Sequence, residues 1–120
     1  MRICLVDDNE AVLDAMALWL GDAGDEIVLA RTGAEAASCV QQEMPDLVIA
    51  DVNLPDTTGL RLARELRKLR PGLVIVLISG QAQFAEAVGA DGADAFLMKP
   101  FTPKALNVAV QQARQFRIAA

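Results

Sequence analysis

The sequence predicts an α/β domain, a parallel sheet covered by helices on both faces, and three observations carry that prediction. Ile3 to Val6, Leu47 to Ala50, Leu73 to Ile78 and Phe96 to Met98 are continuous apolar runs. Runs of this length read as strands buried on both faces, the habit of parallel sheets. The runs alternate with segments of helical period, the mark of βαβ units. Each run also ends on a polar residue: Asp7-Asp8, Asp51, Ser79 and Lys99 respectively. Ligands of open parallel sheets bind at the carboxyl ends of the strands, so these five side chains are expected on one rim.

Taken in order, the first strand is followed by Val12, Met16, Trp19 and Leu20 at helical spacing, closed by Gly21 and Gly24. Glu26 to Ala30 reads as the second strand. Thr32 then caps a helix carrying Ala36, Ala37 and Val40, which ends before Pro45. The strand ending at Asp51 leads into a loop, Val52 to Thr58, containing Pro55. Leu62, Ala63, Leu66 and Leu69 mark the next helix, stopped by Pro71-Gly72. A weak helical segment follows Ser79, about Ala82 to Ala90. Leu106, Ala109, Val110 and Ala113 line one face of a final helix. Five βα units with right-handed crossovers fit the flavodoxin-like doubly wound order 2-1-3-4-5, whose switch point lies between strands 1 and 3. Asp7, Asp8 and Asp51 belong to that switch point. The whole chain, 1–120, reads as one domain with no linker or repeat.

Composition narrows the function. With 120 residues, 53% apolar and 22% charged, the chain can form a single packed core. A net charge of −5 and no basic run argue against direct nucleic-acid binding, which needs clustered Lys and Arg. No apolar stretch has membrane length and no signal-peptide pattern opens the chain, so a cytoplasmic location is expected and no membrane partner. Cys4 and Cys39 lack a CxxC partner and read as free thiols. There is no His, so no mechanism can draw an imidazole from this chain.

Asp7, Asp8 and Asp51 set three negative charges against the single ammonium of Lys99. Crowded carboxylates raise one another's pKa unless a cation compensates, and this oxygen-only set suits Mg²⁺. Asp7-Asp8 alone could equally serve a helix N-terminus; the third carboxylate, from another strand end, favours the metal. Asp51 has a nucleophile's address, since a carboxylate can attack phosphorus and become an acyl phosphate. The alternative for it is a metal ligand without covalent chemistry. Ser79 can donate to a phosphoryl oxygen or merely open a turn. Lys99 follows a buried strand, and Pro100 supplies a rigid turn, cis peptide geometry being open to it, that would hold the ammonium.

Val6-Asp7-Asp8-Asn9, Asp51-Val52-Asn53-Leu54-Pro55 with Gly59, Ser79-Gly80, Gly92-Ala93-Asp94 and Phe96 to Phe101 together resemble the receiver domain of bacterial response regulators in two-component systems. The resemblance spans essentially the whole chain. It implies that Asp51 accepts a phosphoryl group from a histidine kinase or histidine phosphotransfer protein. It further implies that Asp8, Asp51 and the main-chain carbonyl of Asn53 bind Mg²⁺, with Asp7 acting through water. Lys99 would pair with the phosphoryl group, and Ser79 and Phe96 would form the switch to a downstream output protein or attached effector domain. Such a protein catalyses its own phosphorylation and dephosphorylation rather than turning over an external substrate, and a phosphorylation-dependent dimer is compatible with it. A haloacid-dehalogenase-type phosphatase would need an Asp where Asn53 stands, and a flavin-binding flavodoxin would place a phosphate loop where this chain has Asp7-Asp8-Asn9-Glu10. The span from Ser79 to Lys99 is about two residues, roughly half a helical turn, shorter than the family usually has. The fourth helix, with Gly89 inside it and chiefly Phe84 and Val88 as anchors, is therefore expected to be short and easily opened.

Overall fold

The computed structural model describes residues 1–21, 24–81, 83, 88–89 and 92–119. Its strands are β1 (Arg2–Val6), β2 (Glu26–Ala30), β3 (Leu47–Asp51), β4 (Val74–Ser79) and β5 (Ala95–Met98). The helices among the described residues are α1 (Glu10–Gly21), α2 (Gly33–Glu43), α3 (Gly59–Leu69) and α4 (Pro103–Ala119). All strand pairings are parallel, and the sheet order is β2-β1-β3-β4-β5. The predicted doubly wound topology is present. Most of the segment predicted as a fourth helix, about 82–90, lies outside the described residues. Within it, Val88 bridges Ala93 and Gly89 has a φ of 81°, so these two are not helical.

The pleat divides the apolar strands between two cores. Cys4, Val6, Val48, Ala50, Ile75 and Leu77 join α2 and α3 residues such as Ala36, Val40, Leu62 and Leu66 on one face. Ile3, Leu5, Leu47, Ile49, Val76, Ile78, Ala95 and Leu97 join Leu13, Met16, Leu106 and Val110 of α1 and α4 on the other. Successive strand residues point to opposite faces, which is why the runs had to be apolar throughout. The edges depart from that rule. In β5, Ala95 and Leu97 are buried, but Phe96 is half-buried and Met98 is 44% exposed, because β5 is an edge strand. Leu69, expected on the buried face of α3, is 47% exposed at the helix end.

Capping explains where the helices begin. Asn9 Oδ1 accepts the N–H groups of Ala11 and Val12 at 3.0 and 3.2 Å, so Asn9, not Asp7 or Asp8, caps α1. Thr32 caps α2 as expected, its hydroxyl accepting from Glu35 N at 3.1 Å. Thr58 and Thr102 cap α3 and α4 in the same way. Gly59, at the start of α3, has no room for a side chain: a Cβ would lie 2.6 Å from the Asp51 carbonyl oxygen and 2.8 Å from Val52 Cα. This close approach sets α3 directly behind the end of β3.

At the amino ends of the strands, Asp94 gathers three elements. Its Oδ2 accepts from Arg67 of α3 at 2.9 Å and from the Ile75 N–H of β4 at 2.8 Å. Arg117 of α4 approaches Oδ1 at 3.3 Å. Arg67 also donates to the carbonyls of Pro71, Leu73 and Gly92. The buried carboxylate ties α3, α4 and β4 together, well away from the rim where the other acids gather.

Candidate functional site

The carboxyl-end rim is built from four strand ends. Asp51 is the last residue of β3 and pairs in register with Ile78, so Ser79 lies one step beyond it on β4. Asp7 follows β1 directly, and its N–H donates to the Ala30 carbonyl of β2. Lys99 follows β5, its N–H donating to the Ser79 carbonyl at 2.9 Å. The peptide between Lys99 and Pro100 is cis.

Lys99 Nζ lies 2.9 Å from Asp7 Oδ2 and 3.0 Å from Asp51 Oδ2. One ammonium therefore bridges the ends of two central strands. Carboxylate oxygens of Asp7, Asp8 and Asp51 all lie within 4.8 Å of one another. Asp7 is fully buried, Asp51 nearly so, and Asp8 is exposed. Asp7 Oδ1 also accepts from Asn9 N at 2.9 Å, and Asp51 Oδ1 from Asn53 N at 3.2 Å. Each carboxylate oxygen can accept more than one bond, so capacity remains for a cation. The donor set is wholly hard oxygen, and Asp8 opens it to water; both features fit Mg²⁺, which keeps several of its waters.

Burial pushes the Asp7 carboxyl above its ordinary range, and the nearby Asp51 charge adds to that; the Asn9 N–H and Lys99 pull against it. Burial would lower the Lys99 ammonium, but its bonds to Asp7 and Asp51 outweigh this and hold it above its usual value. A carboxyl raised on folding contributes stability when protonated and loses it as pH rises through the raised pKa. In EDTA, the unfolding free energy is accordingly expected to carry a component that falls as pH rises above about 4, the ordinary Asp value. Asp7→Asn should remove that component, and urea melts of both proteins between pH 4 and 8 will measure it.

Ser79 reaches the same rim but faces differently. Within β4 the pleat sets it on the side of Ile75 and Leu77, the α2–α3 face that also takes Phe96. Its hydroxyl is buried and accepts from Gln81 N at 3.0 Å. Of the residues expected on the rim, the structure brings Asp7, Asp8, Asp51 and Lys99 into one cluster, with Asn53 N donating to Asp51. Ser79 joins Lys99 through the main chain, and Phe96 packs half-buried against the core beneath. Two residues with structural consequences carried no assigned role in the sequence reading: Asp94 and Asp56. Asp94 had two available signals, its place in the Gly92-Ala93-Asp94 block and its position directly before an apolar strand.

Two carboxylates bridged by a lysine, with the third acid beside them, thus lie at the switch point of a five-stranded doubly wound sheet. The sequence matches the response regulator receiver domain over residues 3–111. It is 33% identical over 114 residues to the transcriptional regulatory protein GlrR of Escherichia coli, covering 93% of this chain and 26% of that protein. It is 31% identical over 112 residues to the alkaline phosphatase synthesis transcriptional regulatory protein PhoP of Bacillus subtilis, covering 92% and 47%. Among solved structures, a CheY-like receiver domain protein from Methanospirillum hungatei superposes with a TM-score of 0.88 at 31% identity, covering 98% of this chain and 96% of that one. CheY4 of Vibrio cholerae does so with a TM-score of 0.86 at 28% identity, covering 93% and 97%. This chain belongs to the response regulator receiver family, the phosphoacceptor signalling modules of two-component systems. It spans less than half the length of the GlrR and PhoP regulators. No helix among the described residues is long and apolar enough to cross a membrane.

Proposed function

We propose that residues 1–120 act as one Mg²⁺-dependent receiver domain in which Asp51 is the phosphoacceptor. The supporting observation is the lysine bridge: Lys99 Nζ stands 3.0 Å from the Asp51 carboxylate and is held there by Asp7. An Asp51 oxygen would attack the phosphorus of a phosphohistidine on a histidine kinase or phosphotransfer protein. The O–P bond forms as the N–P bond breaks, and the imidazole leaves. Lys99 is already within hydrogen-bonding distance of the carboxylate and would shift to a phosphoryl oxygen as the acyl phosphate forms. Mg²⁺, held by Asp8, Asp51 and the main-chain carbonyl of Asn53, with Asp7 through water, would neutralise charge on the transferring group.

The signal would leave the site through Ser79 and Phe96. Drawn towards the phosphoryl group, the Ser79 hydroxyl would exchange its Gln81 N–H contact for a phosphoryl oxygen. Both residues lie on one face of the sheet, so Phe96 could follow into the space released. Phosphorylation then biases a two-state element read by an output protein, an attached effector domain or a second receiver. The domain would catalyse only its own phosphorylation and dephosphorylation, in the cytoplasm.

With Mg²⁺ and acetyl phosphate, intact-mass spectrometry is expected to show one added phosphoryl group, stable to acid and labile to base. Excess EDTA should prevent it. Asp8→Ala should weaken Mg²⁺ binding in calorimetry more than Ser79→Ala does. Labelling that survives EDTA, or equal affinity in the two variants, would refute the assigned roles.

A further inference from the structure

The loop between β3 and α3 carries Asn53, and its far end is clamped by an element the site does not otherwise use. Asp56 reaches across to the N-terminus of α2. Its Oδ1 accepts from Gly33 N at 2.8 Å and its Oδ2 from Ala34 N at 3.0 Å. With Thr32 taking Glu35 N through its hydroxyl and Ala36 N through its carbonyl, the four leading N–H groups of α2 are all satisfied. A helix ordinarily meets that requirement with its own cap or with water; here half of it is met by a residue 22 and 23 positions away. The contact is close as well as charged. A Cβ at Gly33 would collide with the Thr57 methyl group, so α2 and the loop are fitted to each other.

The same loop is braced from the inside. Leu54 N donates to Thr57 O, Gly59 N to Val52 O, and Asn53 bridges Thr58. These bonds transmit the position of Asp56 to the Asn53 peptide, whose N–H already touches Asp51. We infer that Asp56 is a positioning residue for the metal site: through the α2 N-terminus it sets where the Asn53 carbonyl stands. The inference rests on the metal role proposed for Asn53. Mg²⁺ demands near-ideal octahedral geometry at about 2.0–2.1 Å, so a small displacement of one carbonyl ligand is felt as lost affinity. The helix N-terminus favours the ionised carboxylate, and the Gly33 and Ala34 N–H groups hold Asp56 below the usual carboxylate range.

The test titrates Mg²⁺ alone into the wild-type chain, Asp56→Ala, Asp56→Asn and Arg117→Ala, by calorimetry. Arg117→Ala perturbs the opposite end of the sheet and controls for general destabilisation. Asp56→Ala is expected to bind Mg²⁺ about tenfold more weakly, the effect usual for a residue supporting a metal ligand. Asp56→Asn, which keeps one acceptor oxygen, should recover part of that loss, and Arg117→Ala should bind as wild type does. In metal-free protein, the Asn53 amide resonance should shift in Asp56→Ala and return towards its original position in Asp56→Asn. Unchanged affinity in Asp56→Ala, or an equal loss in Arg117→Ala, would overturn the inference while leaving the metal site standing. If the wild type itself takes up no Mg²⁺, the proposed metal role falls and this inference falls with it.

Discussion

Asp51→Asn is expected to accept no phosphoryl group from acetyl phosphate or from a phosphohistidine donor, at any Mg²⁺ concentration. An amide oxygen has neither the charge nor the basicity to displace a leaving group from phosphorus, and neither of the other two carboxylates in the cluster combines the required features. Asp7 is wholly buried, and Asp8 is exposed and makes no lysine contact among those described. The substitution should leave the fold intact. Lys99 retains its 2.9 Å contact with Asp7, and the crowded negative charge drops by one, so like-charge repulsion in the cluster eases. Thermal unfolding without metal therefore separates the outcomes: lost uptake with undiminished melting temperature assigns the chemistry to Asp51. Residual labelling of the variant would place the acceptor elsewhere.

Asp94→Ala is expected to produce the largest loss of stability, roughly 3 kcal/mol, the low end for breaking a buried ion pair by removing one partner. The Asp94 side chain is 1% exposed, whereas Arg67 and Arg117 are 18% and 24% exposed and can recruit some water. The lost carboxylate also strands the Ile75 N–H at the start of β4. For a domain of this size the melting temperature should fall by about 10 °C. Urea unfolding of Asp94→Ala, Arg117→Ala and the double variant measures the coupling. A loss under about 1 kcal/mol for Asp94→Ala would mean that the network contributes no more than an exposed pair.

Much of the site was legible because a parallel sheet converts sequence position into place. A strand buried on both faces has no use for a polar residue until it ends, so Asp7, Asp51, Ser79 and Lys99 announced both the strand ends and the rim. Thr32 as a cap was legible for a similar reason, since the hydroxyl acts on an N–H three residues away. What failed to be legible was set by distance along the chain. Asp56 satisfies a helix that begins 23 residues earlier, and nothing local to Asp56 signals it. The exposure of Leu69 depended on where α3 passed beyond the core, whereas that of Met98 follows from a strand order that already put the last strand at the sheet edge.

Sequence alone determined the class of fold, the rim and the residue types delivered to it, because hydrophobic period and strand length are local properties. Only the tertiary structure decided how those residues face one another. Strand register and pleat set one lysine between two carboxylates, turned Ser79 towards the side of Phe96, and brought Asp56 to the head of α2. Each of these is a relation between segments far apart in the chain, fixed by packing two cores against one sheet.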